Sequence, residues 1–381
     1  MMQQSTTEIM QVETSTAQKA RKITGTTMLA AGLYIFSGVS QPLLMTVASK
    51  TGIADPRAQL YMLAYYAGPA SVGFTLKRRK VSSADASRKS EAAKEERYWP
   101  SLQTIAKAAS IAILDIVAQS LNYTGNNLSG PTIFAVIYSS VTIWAAVYSR
   151  CLLGRALNRT QWIGVASVFL GLALTAFNSV SIGQKVFVGA CLVVAGSSMH
   201  ALTYVISEML MTVGQEKISA RANSAVQGIV ACSAMFMWQV LYTLPRFQEL
   251  IGSPVEAVGS SWLDVFIVLG SISLANLVHS LSFFHTLKNF PGGSVSAGVM
   301  KGLQAVLVFL LTSIFFCGST GTGAEMCFDS WKFVSLFVVV GGVVLYGWAT
   351  DGSKYVWFRQ REGQYRGIPD RASELEIISG Q

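Results

Sequence analysis

Charged side chains are scarce in this chain. They make up 13% of its 381 residues, while hydrophobic residues reach 51%. A typical soluble domain carries roughly 25% charge, so the shortage argues against a water-soluble globule. Histidine is scarcer still: only His200, His279 and His285 occur. They form no spaced cluster with cysteine, so the sequence offers no zinc site. No nucleophile–base–acid arrangement can be assembled from it. No G-x-x-x-x-G-K-[S/T] segment is present, which leaves direct ATP-driven pumping without a phosphate-cradling loop. The expectation is therefore no enzyme and no cofactor. Strand-like alternation is also missing. "LFVVVGGVVLYGWA" (336–349) runs apolar without a two-residue period, unlike a transmembrane strand.

What the chain does have is long apolar blocks. They lie at about 26–49, 59–76, 102–122, 130–149, 161–177, 186–207, 223–244, 262–284, 294–317 and 333–350. Blocks of about 17–25 residues match the span of the hydrocarbon layer. The expected fold class is an all-α polytopic membrane protein with ten transmembrane helices. A polar N-terminal tail (1–25) and a C-terminal tail (351–381) flank the blocks, and 77–100 is the longest loop. No room remains for a soluble catalytic domain. Glu8 and Glu13 argue against a mitochondrial transit peptide, and no cleavable signal with a small-residue site is evident.

Basic residues are distributed unevenly across the expected crossings. One side collects 22 Lys and Arg, eight of them in the loop 77–100. The other side holds Lys50, Arg57, Lys185, Arg246 and Lys332. Cytoplasmic loops carry the basic excess in membrane proteins, so both termini are expected in the cytoplasm. The bias also accounts for the net charge of +9 without nucleic acid as a partner. The basic loop would equally suit anionic lipid headgroups.

Ten crossings divide into two sets of five, 26–178 and 179–350. An odd number per set gives the second set the opposite orientation, as in inverted-topology repeats. An offset of 162 residues aligns Thr124 with Thr286 and Gly130 with Gly292, in the links "NYTGNNLSG" (122–130) and "FFHTLKNFPGG" (283–293). The fifth and tenth spans share glycine-rich patterns, "WIGVASVFLGLAL" (162–174) and "FVSLFVVVGGVVL" (333–345). Small residues there serve close helix packing.

With these features the chain resembles the EamA-like drug/metabolite transporter superfamily. The nearer likeness is to its eukaryotic branch of nucleotide-sugar and triose-phosphate transporters. Residues 121–174 carry most of it, with Trp162, Gly164 and Gly171 fitting a W-x-G-x-x-x-x-x-x-G span. The resemblance covers roughly 26–350. It implies alternating access of a polar small-molecule substrate through a cavity between the halves, and an endomembrane location (Golgi, ER or vacuole) with the plasma membrane as the alternative. Substrate-defining motifs of nucleotide-sugar members are not found. The lipid bilayer is an expected partner, and a homodimer is compatible with the sequence.

A charge at the bilayer centre costs about 2.5–3.5 kcal/mol or more, so polar residues inside spans mark a protein interior or wet cavity. Asp115, Gln119 and Asn122 share one face of the third span by their i, i+4, i+7 spacing. Asn276 and His279 mark a similar face on the eighth, and Lys301 and Gln304 on the ninth. The 162 offset sets Ser139 and Thr142 opposite the last two. These nine residues are the candidate cavity. Lys301 could meet a substrate anion, pair with a carboxylate such as Asp115, or snorkel. Asp115 could couple transport to protons or serve as a structural partner, and His279 could be a helix-contact residue. Glu208 reads as a topology or capping residue at the cytoplasmic end of the sixth span. Tyr65, Tyr66 and Tyr123 could stack on a base or sugar, or anchor at the interface. Cys317 and Cys327, the cysteines placed on the non-cytoplasmic side, are expected to form a disulfide; Cys151, Cys191 and Cys232 are expected to be free.

Three functions compete. The first is exchange of a nucleotide-sugar or phosphorylated solute. The second is proton-coupled movement of a cationic or zwitterionic metabolite or drug. The third is a non-transporting scaffold or receptor.

Overall fold

The computed structural model describes residues 24–76, 99–129, 134, 137–155, 157–176, 184–213, 217–317 and 330–352. No β-strand occurs among them. The principal helices are α1 (Gly25–Lys50), α2 (Leu60–Ser71), α3 (Leu102–Ser129), α4 (Val141–Leu153), α5 (Arg159–Ala176), α6 (Gln184–Thr212), α7 (Ala220–Trp238), α8 (Trp262–Asn289), α9 (Gly293–Phe316) and α10 (Ser330–Gly352). Among the described residues, seven helical segments are long and apolar enough to cross a membrane; they lie in α1, α3, α6, α7, α8, α9 and α10. α2 and α4 are shorter, at 12 and 13 residues. α5 opens on the polar run Arg159, Thr160, Gln161.

Local chemistry sets the helix ends. The Thr24 hydroxyl accepts the Thr27 N–H at the start of α1, and Ser219 does the same for Ala222 at α7. Ser261 and Asp264 form a reciprocal capping box at α8, satisfying donors that a bare helix end would leave open. α4 ends at Gly154, whose φ of 63° suits glycine. The outer surfaces are apolar. Phe36 is 72% exposed and Trp348 73%, an arrangement stable in lipid rather than water.

Between helices, glycines let backbones meet. A Cβ on Gly164 would lie 2.9 Å from the Gly342 carbonyl oxygen, and one on Gly342 the same distance from that of Gly164. This fixes α5 against α10. α3 and α6 close similarly, with a Gly125 Cβ 2.8 Å from the Gly189 carbonyl oxygen. Of the glycines expected to pack in the fifth and tenth spans, Gly164, Gly171 and Gly342 do so, whereas Gly341 has open space at its Cβ.

The pairing of helices has a pattern. Exchanging each helix for the one five places along turns α1–α8 into α6–α3, α1–α9 into α6–α4, and α2–α8 into α7–α3. The pairs α2–α7, α4–α9 and α5–α10 map onto themselves, and all of these pairs are in contact.

At one end, α7 runs on through wide and tight helical turns to Ala257. This extension packs on the link 51–59. Gln239 and Thr243 both donate to the Ala58 carbonyl at 2.8 Å. Arg57 pairs with Asp55 at 2.9 Å and Glu249 at 3.1 Å. Cys317 follows α9 and is disulfide-bonded; Cys327, its expected partner, lies outside the described residues. Cys151, Cys191 and Cys232 are free thiols.

Candidate functional site

A cavity lies between α2, α3, α6, α7 and α8. Its walls mix aromatic rings (Tyr65, Tyr66, Tyr204, Phe283) with ionisable and amide side chains (Asp115, His200, Gln227, Asn276, His279).

Asp115 organises one wall. Its Oδ1 lies 2.8 Å from His200 Nδ1, and its Oδ2 accepts the Tyr66 hydroxyl at 2.9 Å. The side chains are 16% and 8% exposed for Asp115 and His200. With the carboxylate as acceptor, Nδ1 of His200 is the donor, which leaves Nε2 facing away from Asp115. A half-buried carboxylate inside an apolar bundle is tolerable only with such partners.

The facing wall is built on α8, backed by α1 and α9. Ser37 donates its one hydroxyl proton to the Leu33 carbonyl at 2.6 Å. Its oxygen is therefore free to accept from His279 Nδ1, 3.1 Å away. That assignment leaves His279 Nε2 as an acceptor, and the Lys301 ammonium sits 3.4 Å from it. Lys301 also lies 5.5 Å from the centroid of the Tyr34 ring, within cation–π range. Rings bridge the two walls: His200 stands 4.7 Å from Tyr204, Tyr204 4.5 Å from Phe283, and Tyr34 4.8 Å from His279.

The nine candidate residues separate on this geometry. Asp115, Asn276 and His279 line the cavity. Lys301 stands behind His279, and the salt-bridge partner of Asp115 is His200 rather than Lys301. Gln119 donates to the Tyr65 hydroxyl at 3.2 Å, and so touches the wall indirectly. Gln304 donates to the Tyr34 carbonyl at 2.8 Å, and Thr142 to that of Gly298 at 2.8 Å, so both join helices. Ser139 is buried. Asn122 is buried against Gly196 of α6, off the cavity. Tyr65 and Tyr66 are wall residues, whereas the Tyr123 hydroxyl donates to the Ala54 carbonyl at the end of the bundle.

Two residues carry more than the sequence conveyed. His200 falls in a span whose other polar residues are mostly serine and threonine, and its partner is distant in the chain. Glu208 is not a surface cap. It is fully buried and bonds Arg155, itself 5% exposed, at 2.6 Å.

Part of the chain, holding Asp115 of the cavity and Gly164 of the seam, matches a known domain. Residues 90–177 match the EamA-like transporter family. The resemblance to the drug/metabolite transporter superfamily holds. Solute carrier family 35 member F6 of Homo sapiens is 24% identical over 248 residues, 62% of this chain and 64% of that protein. The mouse protein of the same name is 23% identical over 251 residues. The chain thus covers 64% of the length of these relatives. An uncharacterized Schizosaccharomyces pombe protein is 28% identical over 103 residues, 26% of this chain and 32% of its own length. One crystal structure superposes with a TM-score of 0.58 at 14% identity, covering 86% of this chain and 99% of its own. That likeness concerns the fold alone.

Proposed function

We propose that the protein is a secondary transporter that carries a polar small solute through this cavity by alternating access. The observation that carries the reading is the cavity wall itself: Asp115, His200, Asn276 and His279 gathered inside an otherwise apolar bundle. A scaffold or receptor has no need of buried ionisable groups facing a cavity, and each is costly in lipid. The exchange pattern of helix pairs supports two related halves, 26–178 and 179–350, and the uneven distribution of basic residues supports ten crossings with both termini cytoplasmic. Opposed halves can rock about a shared site, which is what alternating access requires.

The wall favours a cationic or zwitterionic solute. It offers a carboxylate directly, flanked by aromatic rings that attract cations. An anionic solute, such as a nucleotide-sugar or phosphorylated metabolite, is the second reading. Lys301 supports it, since its ammonium reaches His279 Nε2 from behind and a rotation of that ring would open its charge to the cavity. Uptake into liposomes from separate pools of cationic, zwitterionic and phosphorylated metabolites, with and without a proton gradient, tests both. Failure of every pool, with protein correctly inserted, would overturn transport.

A further inference from the structure

Arg155 and Glu208 lie off the cavity, yet both are buried. Their cluster draws on three separate pieces of chain. Arg155 follows α4, Glu208 belongs to α6, and Gly292 and Ser294 stand at the start of α9. Arg155 Nη2 donates to Glu208 Oε1 at 2.6 Å, and Nη1 to Oε2 at 3.3 Å. The same Nη1 donates to the Gly292 carbonyl at 2.6 Å, and Glu208 Oε2 accepts the Ser294 N–H at 2.7 Å. Gly293 between them has φ +50°, and a Cβ there would run into the Glu208 carboxylate. Ser149 of α4 and Ser294 add a hydroxyl pair at 2.7 Å.

The cluster reaches both cavity walls through short rigid paths. Glu208 directly follows Ser207, which lines the cavity on the α6 side. Ser294 stands two turns before Lys301, which backs His279 on the other side. Moving α6 away from α9 at this end must break the cluster. A buried ion pair suits such a role. Its charges are stable in the dry state only together, and each recovers its hydration when water enters. The contact is therefore made or lost as a unit, giving two discrete arrangements rather than a continuum.

We propose that Arg155 and Glu208 form a latch that holds shut the mouth of the cavity between α6 and the start of α9. This rests on the transport reading above, but its test needs no substrate. A cysteine replaces Ser207 in the otherwise native chain, which is placed in sealed liposomes. A membrane-impermeant maleimide is added to either face, and labelling at 207 is followed by peptide mass spectrometry. Glu208→Gln and Gly293→Ala should each raise the labelling rate from one face only, by about tenfold, the usual scale of a coupling between two states. Gly293→Ala keeps both charges, displaces the carboxylate and strains the left-handed backbone at 293, so it opens the same contact by a different route and carries the test if Glu208→Gln does not fold. Unchanged rates in the folded variants would overturn the latch. So would an equal rise at the native Cys191 and Cys232, which would mark general loosening. Loss of the latch would leave the uptake experiment untouched, and the absence of uptake would leave these labelling rates unexplained by misfolding.

Discussion

The Asp115 carboxylate and the His200 imidazole meet at 2.8 Å across the seam between α3 and α6. The two residues come from different halves of the chain. Any relative movement of the halves that separates these helices must part them or carry them together.

Asp115→Asn keeps the shape and removes the charge. Uptake should fall at least about tenfold, the effect of losing a charge-assisted hydrogen bond worth roughly 1.5–3 kcal/mol. His200→Gln should keep part of the rate. Uptake unchanged in both variants would reduce the pair to a structural contact.

Lys301 distinguishes the two solute classes. If the solute is cationic or zwitterionic, Lys301→Ala should lower uptake modestly, by disturbing His279. If it is anionic, Lys301→Ala should abolish uptake and Lys301→Arg should restore part of it, since the two cations differ in shape and hydration. Rates measured at saturating and at low solute separate a loss of binding from a loss of turnover.

The α5–α10 seam should not tolerate side chains. Gly164→Val places branched carbons against the Gly342 carbonyl oxygen, where even a Cβ would lie 2.9 Å away. The expected cost is about 1–3 kcal/mol, as for an overpacked core. A lower thermal midpoint in detergent, with helix content intact at low temperature, checks it. Gly347 has open space at its Cβ, so Gly347→Ala should be nearly neutral.

Arg57 and Asp55 give a pH-dependent contact outside the bilayer. Burial works against ionisation of Asp55, but hydrogen bonds and charge from Arg57 outweigh it and hold the carboxyl below the ordinary range. A depressed folded pKa contributes stability above the unfolded value, about 3.9. That contribution is lost as pH falls through the lower folded value. The pair is solvent-exposed, so the effect is small and salt weakens it. Arg57→Ala should therefore lower the thermal midpoint slightly at pH 7 and not at strongly acidic pH. Equal differences at both would show that the contact does not titrate.

Cys317 and Cys327 should be linked. Unreduced, thiol-blocked protein should yield one peptide joining the two, which disappears on reduction. Alkylation of both before reduction would refute the link and the side assigned to that loop. Closure of so short a loop is worth roughly 2–3 kcal/mol on the chain-entropy account.

Apolar length made seven spans legible among the described residues, whereas the blocks 59–76 and 130–149 give helices of only 12 and 13 residues there. The sequence made part of the cavity legible because polar spacing on one helix fixes a face. Asp115 and His279 were found in that way. Neighbours across helices were not. The spacing of Lys301 and Gln304 gave them one face, but nothing local told that Gln304 would reach the Tyr34 carbonyl or that His279 would stand in front of Lys301. The burial of Glu208 is hidden from the sequence for the same reason. Its position near a span end fits a surface role, and its burial depends on Arg155 and Gly293, which lie far away in the chain. Asn122 followed the rhythm of its helix, yet Gly196 let α6 come close enough to cover it.

The glycine contact between α5 and α10 has a practical consequence for measuring motion. Neither helix lines the cavity, and no side chain separates their backbones at Gly164 and Gly342. Two helices locked this closely form a fixed mast within the membrane. A spectroscopic probe at the outward-facing Trp348, 73% exposed, would therefore supply a coordinate origin. Distances from it to probes on α6 or α9 would then record displacement of those helices alone, separating motion within one molecule from its tumbling in the bilayer.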